Sequence, residues 1–204
     1  MSPNMPDSDG DLSGDTTIAY SFRPSAFGAP RLFRLMSDAI VWDAGRSSGR
    51  VPFARVKRVR MSFRPSAAQN YRFVTEIWGQ EGPKLTIVST STKNMMEQEC
   101  LDTSYANFAT ELHRRIALAG ASTVFEAGIA PAIYWFGLVI YVGAGLGLAG
   151  LIVRTLQAGT WTGAGVVAVF LGMFLWNANY FRRNRPGRYQ PNALPPELLP
   201  RAST

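Results

Sequence analysis

The stretch PAIYWFGLVIYVGAGLGLAGLIV, residues 131–153, decides how the rest of the chain is read. It sits inside a run without a charged side chain that begins after Glu126 and ends at Arg154. A second such run, residues 155–181, ends on Arg182 and Arg183. A helix rises about 1.5 Å per residue, so roughly 20 apolar residues cross a hydrocarbon core about 30 Å thick. Both runs are long enough. Because a bilayer offers no hydrogen bonds to an open backbone, each run is expected to form a transmembrane helix, residues 131–153 and 161–181. The short connection between them makes a hairpin, and a wholly soluble reading of the chain is set aside.

Outward from the hairpin, the 204 residues carry a net charge of +7 that is unevenly spread. Residues 1–15 hold four Asp and no base, with little to bury, and are expected to form a disordered acidic tail. Residues 182–204 hold five Arg against Glu197 and are rich in Pro, which predicts an extended basic tail with no core of its own. That leaves residues 16–120 for one small domain. Cys100 is the only cysteine, which excludes an intrachain disulfide and a Cys-rich metal site, so neither metal nor cofactor is expected. The N-terminus lacks a basic and then apolar leader, so the first span is expected to direct insertion itself.

From Thr16 the pattern is that of strands. TTIAYSF, RLFRLM, DAIVW, RVPF, VRMSF, YRFVTEIW and KLTIVS are short runs rich in Val, Ile and aromatic residues, separated by turn clusters such as FGAP and DAGRSSG. The hexapeptide SFRPSA occurs at residues 21–26 and 62–67, which reads as two similar strand exits rather than a domain repeat. Beyond the strands, Asp102 is placed to cap a helix, and Tyr105, Phe108, Ala109, Leu112 and Ile116 recur at helical spacing up to a stop at Gly120. The fold expected is α+β: a small antiparallel β-sandwich or barrel closed by a C-terminal amphipathic helix, followed by the two-helix transmembrane hairpin.

The segment GRVPFARVKRVRMSF, residues 49–63, with the strands and helix that follow it in order, resembles bacterial pleckstrin-homology-like (GRAM-like) domains. The likeness covers about half the chain and rests on pattern rather than on an invariant signature. It implies a binding or scaffolding module, of a kind often fused to membrane spans in bacteria.

Chemistry-bearing constellations are sparse. His113, the only histidine, is expected at the surface of the amphipathic helix beside Arg114 and Arg115, whose charges would depress its pKa. No Gly-x-Ser-x-Gly elbow or phosphate-binding Gly-rich loop appears, and an enzyme is not expected. Gly143 and Gly147 form a GxxxG pair, and Ala168 and Gly172 a small-xxx-small pair, which suits packing within the hairpin or between copies of the chain. With no charge inside either span, nothing supports a transporter. Arg58, Arg60 and Arg64 end a run of seven bases without an acid. They suit contact with anionic lipid headgroups, and a solvated strand face is the bland alternative. With no aromatic platform interleaved, nucleic acid is not expected as a partner.

Arg114 and Arg115 precede the first span and four Arg follow the second, whereas the connecting loop holds only Arg154, so both termini are expected in the cytoplasm. Arg far outnumbers Lys, and the tail resembles those of small alphaproteobacterial membrane proteins, which points to a bacterial inner membrane. The reading is a non-enzymatic multi-pass protein presenting a binding or adaptor domain to membrane lipid or a protein partner. The alternative is a small subunit of an oligomeric membrane assembly working through its Gly-rich helices.

Overall fold

In the computed structural model, which describes residues 17–25, 27–65, 71–93, 98–176 and 178–200, each expected strand run forms a strand. Strands β1 (Ile18–Phe22), β2 (Arg31–Leu35), β3 (Ala39–Asp43) and β4 (Ser48–Pro52) make an antiparallel meander. Alternation turns Tyr20, Phe22, Phe33 and Leu35 inward while Ser21 and Arg34 stay in water. A one-turn 3-10 helix (Phe53–Arg55) then leads into β5 (Val56–Pro65), which pairs with β6 (Tyr71–Gly79) and through it with β7 (Leu85–Val88), all antiparallel. A short ribbon, β8 (Thr90–Thr92) with β9 (Gln98–Cys100), precedes the helix α1 (Asp102–Leu118). The acidic tail expected over residues 1–15 lies outside the described residues.

Every member of the helical stripe expected on α1 is buried: Tyr105, Phe108, Ala109, Leu112 and Ile116. They join the inward residues of both sheets in one core, where the Tyr105 hydroxyl hydrogen-bonds that of Thr75 at 2.7 Å. Asp102 departs from its expected role. Leu101 occupies the cap, and Asp102 is the first helical residue, where its charge suits the positive end of the helix and its carboxylate takes a hydrogen bond from Ser89. Gly120, with φ at +66°, ends the helix as expected.

Beyond α1, two strands were not expected. Strand β10 (Val124–Ala127) lies parallel to β5, pairing Phe125 with Val59, so the second sheet is mixed rather than purely antiparallel. Past the hairpin the chain returns to the domain. Asn184 donates to the Phe63 carbonyl at 2.6 Å and accepts from the Phe63 amide at 2.9 Å, both through its side chain, and β11 (Gly187–Arg188) pairs with β10. Leu198, in a 3-10 turn (Pro196–Leu198), is 1% exposed, and Tyr189, Leu194 and Leu199 pack beside it on the core. The extended basic tail expected over residues 182–204 is therefore, across its described part, a seal on the core. The five-stranded sheet runs β11-β10-β5-β6-β7, and among the described residues it does not join the meander into a closed barrel.

Between β10 and Asn184 the hairpin leaves the domain. Helix α2 (Pro131–Gln157) has a mean hydropathy of 2.2. The second apolar stretch, residues 161–183, has 1.4 and comprises α3 (Trp161–Trp176) and α4 (Ala178–Arg183). Both are long and apolar enough to cross a membrane. Their apolar windows are 0% and 6% buried, so neither is the core helix of a soluble fold. They touch through aromatic residues: Tyr141 stacks on Phe174 at 4.1 Å and donates to its carbonyl, and Gly145 leaves room for that ring. Where the two ends of the hairpin cross, Gly128 has φ at +76°, and a Cβ there would overlap the Asn184 carbonyl.

Candidate functional site

The outer face of the five-stranded sheet carries the basic residues singled out by sequence. On β5, Val59, Met61 and Phe63 point into the core, so Arg58, Arg60 and Arg64 share the opposite face. Arg64 lies within the strand rather than in a loop beyond it. Register then sets the three apart. Arg60 pairs across to Glu76 on one side and Glu126 on the other, and its guanidinium binds the Glu126 carboxylate, with Nε at 2.9 Å. Arg64 binds Glu76 at 2.9 Å and donates to Ser62, and Lys84 binds the second oxygen of Glu76 at 2.9 Å. Burial alone would push the Glu76 carboxyl up. The Lys84 hydrogen bond and the Arg64 charge outweigh it and hold the group below the usual range.

Arg58 is bound differently. It stacks 4.2 Å from the Trp78 ring, and among the described residues it forms no ion pair. Trp78 is an aromatic neighbour that the run of bases did not reveal, because it stands on β6 and reaches Arg58 only through the register Arg58↔Trp78. Arg188, on β11, extends the row: across four strands the side chains alternate Arg188, Glu126, Arg60, Glu76. No spacing in the sequence marks Glu126 or Arg188, since both belong to strands assembled across more than sixty residues of chain.

A cleft of about 720 Å³ opens between β5, β6 and β10. Its wall includes Arg55, Lys57, Arg58, Trp78, Glu126 and Arg188. A smaller cavity of about 300 Å³ shares Glu126 and Arg188 with it and reaches Ile129 and Pro131, where α2 begins. The basic face thus runs to the root of the first apolar helix.

His113 is not at the surface. It is fully buried, with Nδ1 2.6 Å from the Ala109 carbonyl and Nε2 2.7 Å from the Tyr189 hydroxyl. The carbonyl can only accept, so Nδ1 carries the proton and Nε2 accepts from Tyr189. Burial, rather than the adjacent arginines, pulls its pKa down to about 4. Arg114 instead pairs with Glu111, and Arg115 donates to the carbonyls of Leu35 and Met36. The histidine joins α1 to the tail, and among the described residues no cluster of metal-ligating side chains includes it.

The small residues of the hairpin lie apart from its internal contact. A Cβ at Gly143, Gly147 or Gly172 would meet nothing within 4 Å, and Ala168 is exposed. Trp135, Trp161 and Trp176 are exposed near the helix ends, where an indole suits a membrane–water interface, and Tyr180 packs against the domain core. No family model, curated protein or solved structure matches this chain.

Proposed function

We propose that this chain is a non-enzymatic, membrane-anchored binding module: a pleckstrin-homology-like domain, its two sheets packed as a sandwich, held at the cytoplasmic face of a bacterial inner membrane by a hairpin. The observation that carries the reading is the insertion of the hairpin into the domain. Ile129 donates to the Asn184 carbonyl at 3.3 Å, so the chain enters and leaves the apolar region at one point, between two pieces of one core. A domain built from both sides of a hairpin keeps both its flanks on one side of a bilayer, and the arginines around it favour the cytoplasm. Held at both roots, the domain has little freedom to tilt away, and its basic face sits against headgroups with a contribution of roughly 1 kcal/mol for each base near an anionic surface.

The test uses the whole protein in nanodiscs of neutral phospholipid, with or without an anionic one. Hydrogen exchange in β5 and β11 should slow only with anionic lipid and recover in roughly 0.5 M salt, where screening reaches within a few Å. Equal exchange in both discs would remove the lipid-surface reading and leave a protein partner as the occupant of that face.

A second reading, a subunit of an oligomeric assembly, draws on the outward position of Gly143, Gly147, Ala168 and Gly172, which leaves small residues on the open sides of both helices. If copies meet there, Gly143→Leu with Gly147→Leu should abolish self-association in a membrane two-hybrid assay while leaving the domain folded.

A further inference from the structure

We propose that the cleft between β5, β6 and β10 is a discrete binding site for the phosphate of one anionic glycerophospholipid, rather than one part of a diffuse basic surface. The inference rests on the membrane-anchored reading above and narrows it to named residues. Charge is the first argument. The cleft and the cavity that continues it gather Arg55, Lys57, Arg58, Arg60 and Arg188 against Glu126 alone, and Glu126 is already bound by Arg60. The other four bases have no carboxylate partner among the described residues. Elsewhere on the same face Arg64 and Lys84 share Glu76 and Arg72 stands across from Arg64, three bases to one acid, so the larger excess of positive charge, five bases to one acid, lies at the cleft.

Geometry is the second argument. Arg58 and Arg188 stand on the two strands that flank β10, Arg188 level with Glu126 and Arg58 level with Val124, two residues along, which sets their backbones about 12 Å apart, a separation two long guanidinium side chains close around a phosphate. Trp78 braces Arg58 from behind at 4.2 Å, limiting the freedom that guanidinium loses on binding.

Position identifies the source of the phosphate. The cavity ends at Ile129 and Pro131, and the first turns of α2 expose Ile133 and Phe136. A lipid lying beside those side chains has its acyl chains against the helix and its headgroup at the mouth of the cleft. A soluble phosphate would gain nothing from that placement. Along the sequence Arg58 groups with Arg60 and Arg64, because only the register shows that those two are paired with carboxylates.

The full-length protein in a non-ionic detergent should bind dioctanoyl phosphatidic acid saturably, one per chain, by isothermal titration. Dioctanoyl phosphatidylcholine, with its compensating positive charge, should bind more weakly, and inorganic phosphate and glycerol 3-phosphate weakest of all. Arg58→Gln with Arg188→Gln should lower the affinity for phosphatidic acid about tenfold or more, and Arg64→Gln should leave it unchanged. Arg188→Gln alone, at an exposed position, should lower it by a smaller factor with an unchanged melting temperature, which separates binding from folding. Inorganic phosphate binding as tightly as the lipid would overturn the lipid source. An equal loss from Arg64→Gln would overturn the discrete site while leaving the surface reading standing. Failure to distinguish phosphatidic acid from phosphatidylcholine would bring down both.

Discussion

The two sheets of this domain use similar residues but are assembled from very different spans of chain. The meander β1–β4 is complete between residues 18 and 52, each strand pairing with the next. The five-stranded sheet draws on residues 56 to 188, with a membrane-length hairpin inserted between β10 and β11. Local pairing closes short loops at small entropic cost, whereas pairing β10 with β5 closes a loop that contains α1, and pairing β11 with β10 closes one that contains the hairpin. The meander's pairings lie wholly within its own stretch of sequence. The second sheet, its outer charge ladder and its core seal depend on chain brought back from a distance.

The largest effect should come from removing the returning segments. A fragment of residues 17–120 lacks Phe125, Tyr189 and Leu198, two of which are almost fully buried and worth roughly 1.5–3 kcal/mol each. It should lose cooperative unfolding in urea. Residues 17–130 joined by a short Gly-Ser linker to residues 183–200 should regain it, because the Ile129 amide and the Asn184 carbonyl are already in contact. If both melt alike, the tail is no part of the core and the contrast between the sheets dissolves.

Within the intact protein, Leu198→Ala should cost about 2–5 kcal/mol, as large-to-small changes in a packed core do. A loss below about 1 kcal/mol in the domain's unfolding midpoint would mean that the seal is loose.

The strap between α1 and the tail should show as a pH dependence. His113 has a folded pKa of about 4, below its ordinary 6.5, so the unfolded chain takes up the proton first as pH falls. Stability is therefore full above about pH 6.5 and drains away down to about pH 4, by about 3 kcal/mol in all. His113→Asn should flatten that part of the profile. Tyr189→Phe, which leaves Nε2 without its donor, should cost about 1–3 kcal/mol at neutral pH.

The smallest effects compare the sheets directly through one ion pair in each. Arg60 and Glu126, 14% and 26% exposed, join β5 to β10, and Arg60→Gln should cost about 1–3 kcal/mol by stranding a half-buried carboxylate. Arg50 and Asp38, 58% and 62% exposed in and beside the meander, are screened by water, and Arg50→Gln should change stability by about 0.5 kcal/mol or less. Comparable losses from the two substitutions would show that non-local assembly gives the second sheet no greater reliance on charge.

Much of this arrangement was legible from local pattern. Strand-like runs marked β1 to β7, helical spacing placed Tyr105, Phe108 and Leu112, and the uncharged runs marked both apolar helices. Each of those signals is short-range: the period of a strand or helix repeats within a few residues, and a bilayer's thickness sets a length that composition alone can meet. Tertiary structure decided what period cannot express. VFEA is too short to announce a strand, and its parallel partner lies 66 residues upstream. RPGRYQPNALPPELLP reads as a solvated basic tail, because a few well-separated Leu and Tyr give no periodicity, yet those residues are what cover the core beside His113. Arg58, Arg60 and Arg64 look equivalent along the chain. Only the register across β6 and β10 supplies carboxylates to two of them and an indole to the third, and opposite charges attract according to where the fold puts them, not to their order in the sequence.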